Sequence, residues 1–161
     1  FGNGTEIVVN FSDEPKSVYA RTDEVPLAPR GFHVHGPGIS QTRLWIDEAA
    51  QTVVAKPGYL TVEANGNQFV AGVKFNGRLT AFQTSDAQWN VFVTPGHSCE
   101  LNLAEITGWS QSDDLRVCHM DDVGDARQCI SRADADGLAR FTSDERAWRF
   151  AVVRTSRTDV D

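Results

Sequence analysis

The sequence predicts an all-β domain, an antiparallel β-sandwich or jelly roll, from three observations. About a dozen short apolar or alternating segments are separated by turn residues, which is typical of such folds. No segment keeps a convincing helical period. The 161 residues are enough for one sizeable core, so we expect a single module over residues 1–161. A weak break at residues 94–97 leaves open two small β units, residues 1–93 and 98–161.

The individual strands are predicted from β-branched and aromatic residues bounded by Gly, Pro, Asn and Asp. The predicted strands cover residues 6–11, 32–35, 42–47, 51–55, 59–64, 69–75, 78–82, 89–93, 115–118, 127–130, 138–141 and 147–154. Residues 100–106 fit either a strand or one short helix. Residues 25–29 contain Pro26 and Pro29, which exclude a helix and a central strand, so we expect an extended edge segment or a connector there.

Two turns have the strongest local signals. Lys56-Pro57-Gly58 supplies the restricted and permissive backbone positions for a turn between residues 51–55 and 59–64. Asn76-Gly77 fits a type I′ hairpin between residues 69–75 and 78–82, because both residues tolerate positive φ.

The last predicted strand has an apolar row. In it, Trp148, Phe150 and Val152 alternate with other residues and therefore share one face. We expect this row to lie in the core.

The composition is that of a soluble globular domain, with 40% hydrophobic and 23% charged residues. No apolar run reaches the roughly 18 residues that cross a bilayer. The formal charge of -7 argues against a surface for nucleic acid or anionic membranes, because phosphate binding needs clustered basic residues. We therefore expect neither nucleic acid nor a membrane as partner.

Three cysteines lie in the C-terminal part of the chain. We expect a disulfide between Cys118 and Cys129 and a buried thiol at Cys99, as cysteine counting in secreted chains favours. Three reduced cysteines are the alternative. Asn3-Gly4-Thr5 and Asn10-Phe11-Ser12 match the N-glycosylation acceptor pattern. Together these features predict a secreted, extracellular protein.

Residues 29–38 place two histidines on a short strand between Gly/Pro clusters. His33 and His35 fall on one face, with Phe32 and Val34 on the other. Such a pair is similar to the one that jelly-roll cupin enzymes use for a metal, so a cupin-like metal enzyme using His33 and His35 is one hypothesis. The chain lacks a Glu shortly after His35, where Gly36-Pro37-Gly38 follows. The alternatives are hydrogen-bonded histidines beside a turn, or contacts to a sugar.

Two N-terminal stretches combine strand and turn residues in a distinctive order. They are Val8-Val9-Asn10-Phe11-Ser12-Asp13-Glu14-Pro15 and Leu27-Ala28-Pro29-Arg30-Gly31-Phe32-His33-Val34. They resemble accessory β-sandwich domains appended to glycoside hydrolases and polysaccharide lyases. Asp136-Gly137-Leu138-Ala139-Arg140-Phe141 is similar to immunoglobulin-like modules beside such enzymes, which would make residues 98–161 a small immunoglobulin-like unit.

The resemblance implies a non-catalytic carbohydrate-binding or ancillary module of a polysaccharide-active protein. Its partners would be a polysaccharide or glycan and neighbouring domains of a larger enzyme. It implies no catalytic residue and no cofactor. A structural interaction domain without its own ligand is the alternative function.

Sugar binding needs aromatic faces beside hydrogen-bonding groups. Trp109 lies in a polar, Gly-containing loop without apolar neighbours, so we expect its ring to be exposed. Trp45 shares a strand face with Arg43 and Asp47 and can present its ring beside polar groups. The predicted ligand contacts are Trp109, Trp45, Arg43, His33 and His35.

We expect no cofactor, but structural calcium is common in sandwich modules of the kind that this chain resembles and is one hypothesis. Asp134 and Asp136, in Asp134-Ala135-Asp136-Gly137, offer hard oxygen ligands, and residues 121–125 contain a second acidic cluster. Neither has the spacing of an EF-hand loop. The alternative is that these Asp and Gly residues simply form turns.

Overall fold

The computed structural model describes residues 2–155, which form fifteen strands and one short helix. The strands are β1 (Glu6–Val9), β2 (Lys16–Ala20), β3 (Asp23–Leu27), β4 (Phe32–Gly36), β5 (Ile39–Ile46), β6 (Ala49–Lys56), β7 (Tyr59–Asn65), β8 (Val73–Lys74), β9 (Asn76–Ser85), β10 (Gln88–Val93), β11 (Ser98–Asn102), β12 (Asp114–Met120), β13 (Ala126–Arg132), β14 (Leu138–Thr142) and β15 (Arg149–Thr155). The helix is α1 (Leu103–Thr107). The predicted all-β antiparallel sandwich is confirmed, whereas a jelly roll stays a prediction.

The strands form one large and one small sheet. Ten strands of the twelve-stranded large sheet follow the order β1-β4-β5-β6-β7-β9-β10-β15-β12-β13, and the β2–β3 hairpin joins it where β3 pairs with β5. The small sheet has the order β14-β11-β8. Because β10 pairs with β15, residues from both halves of the chain are neighbours in the large sheet.

The hydrophobic core lies between the small sheet and the part of the large sheet from β7 to β12. Phe141 of β14 meets Phe150 of β15 with ring centroids 4.6 Å apart. In β10, Trp89, Val91 and Val93 are buried, and Phe92 lies on the opposite face of the strand. β9 and β10 therefore have a covered face and a more open face, whereas Ala151 of β15 and Cys118 of β12 are buried although they alternate with core residues.

The predicted core position of Trp148 is wrong. Phe150 and Val152 are fully buried, but Trp148 is 39% exposed. The reason is that β15 begins only at Arg149, so strand alternation does not set the side on which Trp148 lies.

The predicted hairpin at Asn76-Gly77 is also wrong. β8 belongs to the small sheet and β9 to the large one, so the chain crosses between sheets at Phe75. The reverse turn lies earlier, at Ala71-Gly72, whose φ angles are 49° and 75°. There Val70 and Val73 exchange two backbone hydrogen bonds, of 2.8 and 3.0 Å. Tertiary pairing, not local turn chemistry, decides the conformation at Asn76-Gly77.

Other sequence predictions agree with the structure. The Lys56-Pro57-Gly58 segment turns between β6 and β7, with φ of 68° at Gly58. Residues 100–106 contain both options, the end of β11 and helix α1. The Asn102 side chain caps this helix by accepting a hydrogen bond from the Glu105 N–H. β2 was not anticipated; it pairs with β3, in which Pro26 is tolerated near the margin of the sheet.

The cysteines have the predicted arrangement. A disulfide joins Cys118 of β12 to Cys129 of β13, and the two residues are register partners. Cys99 is a free thiol that is 1% exposed, and burial raises its pKa to about 12.

No helix within residues 2–155 is long and apolar enough to cross a membrane.

Replacing Gly77 with Ala should destabilise the fold more than the same change at Gly38. Gly77 has φ of 128°, and an added Cβ would lie 2.8 Å from Thr94 Oγ1 and 3.1 Å from Phe75 Cζ. Thr94 cannot easily yield, because its hydroxyl bonds both the N–H and the carbonyl of Arg78. Gly38 also has positive φ, but nothing lies within 4 Å of its added Cβ.

We expect Gly77→Ala to lower the free energy of unfolding by about 2 kcal/mol or more, and Gly38→Ala by about 1 kcal/mol. Urea unfolding followed by tryptophan fluorescence measures both. Equal losses would show that Thr94 does not constrain Gly77.

Cys99 should resist alkylation until the protein unfolds, because its thiol is both buried and poorly ionised. Mass spectrometry after iodoacetamide treatment without reductant should find no adduct on the native protein and one adduct in guanidinium. Rapid modification of the native protein would contradict the buried position of Cys99.

Candidate functional site

The open face of the large sheet has a line of aromatic side chains, which we call the aromatic row: Tyr59, Phe82, Phe92 and Trp148. The rings of Phe82 and Phe92 are nearly parallel, with centroids 5.6 Å apart. The Trp148 ring follows at 5.9 Å from Phe92. Tyr59 is the register partner of Phe82. The row therefore crosses four strand positions, from β7 through β9 and β10 to the start of β15.

Strand register explains why these rings meet. Phe82 pairs with Asn90, and Phe92 pairs with Thr80, so the two Phe residues are diagonal neighbours on adjacent strands. Diagonal neighbours are within reach of each other when the side chains are aromatic. The rings are on the open face because the residues beside them in sequence face the core.

Polar and cationic groups surround the aromatic row. Thr61 Oγ1 donates a hydrogen bond of 2.9 Å to the Tyr59 hydroxyl oxygen. At one end the Lys56 ammonium lies 4.7 Å from the centre of the Tyr59 ring. At the other end the Arg149 guanidinium lies 5.5 Å from the Trp148 ring. The result is a surface with apolar ring faces and hydrogen-bonding groups beside them.

Trp109, the first predicted ligand contact, is not exposed as expected. Its ring is half-buried and packs against the hydrophobic core. The guanidinium of Arg154 covers it, with Cζ 5.2 Å from the ring centre. The polar loop folds back after α1, so the Trp109 ring reaches the core. The long Arg154 side chain of β15 covers the ring, and this contact with a distant residue could not be predicted from the loop sequence. Whether Trp109 contacts a ligand stays a prediction.

Trp45 and Arg43 lie together on the open face of β5, as predicted. Trp45 is half-buried and Arg43 is exposed. They are not beside the aromatic row: Trp45 pairs with Ala50 of β6, whereas Tyr59 pairs with Lys56 at the far end of that strand.

His33 and His35 share a face of β4, as predicted, and their half-buried rings stack with centroids 6.3 Å apart. Their face is the one that leads to the core. His33 Nδ1 is 2.7 Å from Thr42 Oγ1, and Glu6 is the register partner of His35. Burial lowers the pKa of His33, and the nearby charges of His35 and Arg21 lower it further, while Glu6 opposes them.

The part of the chain that the structure describes has no complete set of metal ligands. There, no three or more His, Cys, Asp or Glu side chains are grouped to hold an ion. The geometry thus adds no support for the cupin-like hypothesis.

The acidic loops form turns. Asp134 Oδ1 accepts hydrogen bonds of 3.0 Å from the N–H groups of Asp136 and Leu138. Asp134 Oδ2 pairs with Arg140. The bond from Leu138 and those from Asp136 and Arg140 hold the pKa of Asp134 below its usual value. Asp121 accepts equivalent bonds from Val123 and Asp125. These bonds are those of the turn-forming alternative, and calcium stays a prediction.

The aromatic row was not predicted from the sequence. Strand alternation was the available signal: Phe92 lies between Val91 and Val93, so it must face away from them. The neighbouring ring of Phe82 could not be assigned without knowing the register of β9 against β10.

Comparison with protein-family models, with curated proteins and with solved structures finds no match to this chain.

Stability should depend on His33 in mildly acidic solution. Since the pKa of His33 lies below its ordinary value of 6.5, the unfolded chain takes up the proton first as pH falls. The contribution of neutral His33 to the free energy of unfolding is complete above the pKa that His33 has in the unfolded chain. It is lost as pH falls through the lower pKa that His33 has in the folded protein. We expect the urea midpoint to fall between about pH 7 and about pH 5, and His33→Gln to reduce that dependence.

The carboxylates with lowered pKa, such as Asp114 at about 2, titrate below this window and do not obscure the comparison. An identical pH dependence in the wild type and in His33→Gln would contradict the assignment.

Proposed function

We propose that this protein is a non-catalytic carbohydrate-binding module that holds a polysaccharide or glycan along the aromatic row. The observation that supports the proposal is the line of partly exposed rings on the open face of the sheet. Aromatic rings in such positions keep apolar surface in water, and sugar rings have apolar faces that can cover it. The Thr61 and Tyr59 hydroxyl groups beside the row can bond the hydroxyl groups of a sugar.

The sheet holds the rings in place before a ligand arrives. Phe82 and Phe92 lie within regular strands, and their centroid separation of 5.6 Å is set by strand register. Side chains on strands lose less freedom on binding than side chains on loops, which favours affinity. The three strand spacings from β7 to β15 span about 14 Å, longer than a single sugar ring, so the ligand is a chain.

Charge favours a neutral glycan. The protein has a formal charge of -7, which repels polyanions at long range. Arg149, the cation beside Trp148, is already paired with Asp122 at 2.6 Å. An acidic polysaccharide would be bound best by a positive surface with unpaired cations, and neither the net charge nor the paired Arg149 fits that requirement.

The biological setting is part of the same proposal. The Cys118–Cys129 disulfide is typical of an oxidising compartment, so we place the protein outside the cell. There it acts as an accessory domain beside a polysaccharide-active enzyme, as the resemblance of residues 8–15 and 27–34 implies. Structural calcium at Asp134 and Asp136 remains part of this proposal.

A structural interaction domain is the second candidate. Ile7 and Val9 of β1 are 48% and 40% exposed, at the first strand of the large sheet, and Phe11 beyond them is 81% exposed. This apolar margin would suit a neighbouring domain.

Affinity electrophoresis against soluble neutral polysaccharides tests the proposal. Xylans, mannans and β-glucans are suitable probes. We expect retardation of the wild type by at least one polysaccharide and about tenfold weaker binding in Trp148→Ala and Phe92→Leu, because each removes a stacking face. Trp45→Ala, which removes a ring on the same face away from the aromatic row, is the matched control and should bind as the wild type does.

No retardation by any polysaccharide in the panel would refute carbohydrate binding and favour the interaction domain. Weaker binding in Trp45→Ala or Trp109→Ala, with Trp148→Ala unchanged, would place the sugar elsewhere and refute the role of the aromatic row.

A further inference from the structure

A second candidate site is a cleft of about 320 Å³ at the end of β7 opposite Tyr59, which we call the polar cleft. Its walls are residues 65–67, residues 74–76, and residues 97, 98 and 100. The last pair of the β7–β9 ladder, Asn65 with Asn76, lies at this place. The volume is in the lower range of small-molecule sites.

Four polar side chains in the walls have unused hydrogen-bonding capacity. Asn67, Asn76, His97 and Ser98 make no side-chain hydrogen bond to any residue between 2 and 155. Outside the sheets Asn67 and His97 bond through their backbone groups: the N–H of each donates, and the His97 carbonyl accepts from Ser143 and Cys99. Amide, imidazole and hydroxyl groups can each donate or accept. The polar cleft therefore offers a mixed set of donors and acceptors to a ligand.

The fifth polar group, the Asn65 side chain, is held in place by hydrogen bonds to its oxygen. Asn65 Oδ1 accepts hydrogen bonds from Gln51 Nε2 at 3.0 Å and from the Asn67 N–H at 3.3 Å. Gln51 is fully buried, and its Oε1 has no partner among the described residues. The Asn65 oxygen is thus engaged twice, whereas its Nδ2 has no acceptor in the described chain. A donor fixed in this way loses little freedom on binding.

Close packing makes the wall rigid. Gly66 has φ of 82°, and a Cβ at this position would lie 3.2 Å from the backbone nitrogen of Asn76. The loop after β7 therefore rests directly on the start of β9. Phe75, which is 2% exposed, adds an apolar side chain to the wall and meets the His97 ring edge-on at 6.2 Å.

The charges of the polar cleft offset one another. Lys74 Nζ lies 3.2 Å from Glu100 Oε1, and Arg140 Nε lies 3.2 Å from Glu100 Oε2. Lys74 above all, and then Arg140, hold the pKa of Glu100 below its usual value, although desolvation opposes them. Arg140 also pairs with Asp134. With its cations already engaged, the cleft does not select for an anion.

We propose that the polar cleft binds one uncharged sugar ring, such as the terminal unit of a glycan chain. The five polar groups bond its hydroxyls, and the His97 ring, supported from behind by buried Phe75, provides apolar contact. This inference deepens the proposed function by adding a site for a single ring to the site for a chain. It rests on the proposed function only in taking the sugar to come from the same polysaccharide. The binding sites themselves are independent, because they consist of different residues.

Amide NMR titration with methyl glycosides of neutral hexoses and pentoses tests the inference. We expect shift changes in residues 65–67, 74–76 and 97–100, with millimolar affinity. The double variant Asn67→Ala/Ser98→Ala should bind about tenfold more weakly, because two hydrogen bonds are lost. Gln128→Ala, which truncates an exposed amide on β13, is the matched control and should bind as the wild type does.

Trp148→Ala separates the two sites, because it should weaken polysaccharide retardation and leave these shifts unchanged. If no methyl glycoside shifts the cleft residues, or if glucuronate does so while methyl glucoside does not, the inference is overturned and the aromatic row is unaffected. If the cleft binds methyl glycosides but no polysaccharide is retarded, the proposed role of the aromatic row is overturned and the inference stands.

Discussion

Packing of the small sheet and α1 against one face of the large sheet is the constraint on which the other features depend. Leu101 of β11 and Phe141 of β14 bury apolar surface against Val62, Val91 and Phe150 of the large sheet. Because side chains alternate across a strand, covering one face leaves the intervening residues on the other. Within residues 2–155 the small sheet leaves the open face of β9 and β10 without a second sheet over it, although the loop at Gly124 reaches this face and accepts a hydrogen bond from Gln88. Aromatic residues there gain little from the core, and binding gives a reason for their presence.

The large sheet extends well beyond the small one, and its inner face becomes polar as it does so. The register row that begins at Val62 in the core continues through Val53 to Thr42 and ends near His33. The inner groups are satisfied locally, as in the hydrogen bond between His33 and Thr42. Such buried polar contacts contribute less to stability than apolar packing does, but a buried polar group without a partner destabilises the fold strongly. Protonation of His33 should therefore affect the stability of this part of the large sheet. The same part positions the wall of the polar cleft through buried Gln51.

The sequence was most informative where local chemistry and tertiary pairing agree. The alternation of β10, the Pro57-Gly58 turn and the Cys118–Cys129 pair all follow from residue type and spacing. The predictions failed where pairing with a distant segment decides the outcome. Asn76-Gly77 has the composition of a hairpin turn, yet it lies in β9, because β8 pairs with β11 instead. Trp109 lies in a polar loop, yet Arg154, a residue 45 positions later, covers its ring.

Gly77 links the fold to both proposed sites. The chain leaves the small sheet at Phe75 and enters the large sheet at once, so little length is available for the crossing. Only a residue without Cβ leaves room for Thr94 at this point, and Thr94 in turn bonds Arg78 and fixes the first pair of β9 with β10. That register places Asn76 at the polar cleft and Phe82 in the aromatic row. The close approach of the Thr94 side chain to Gly77 therefore supports two surfaces that share no residue.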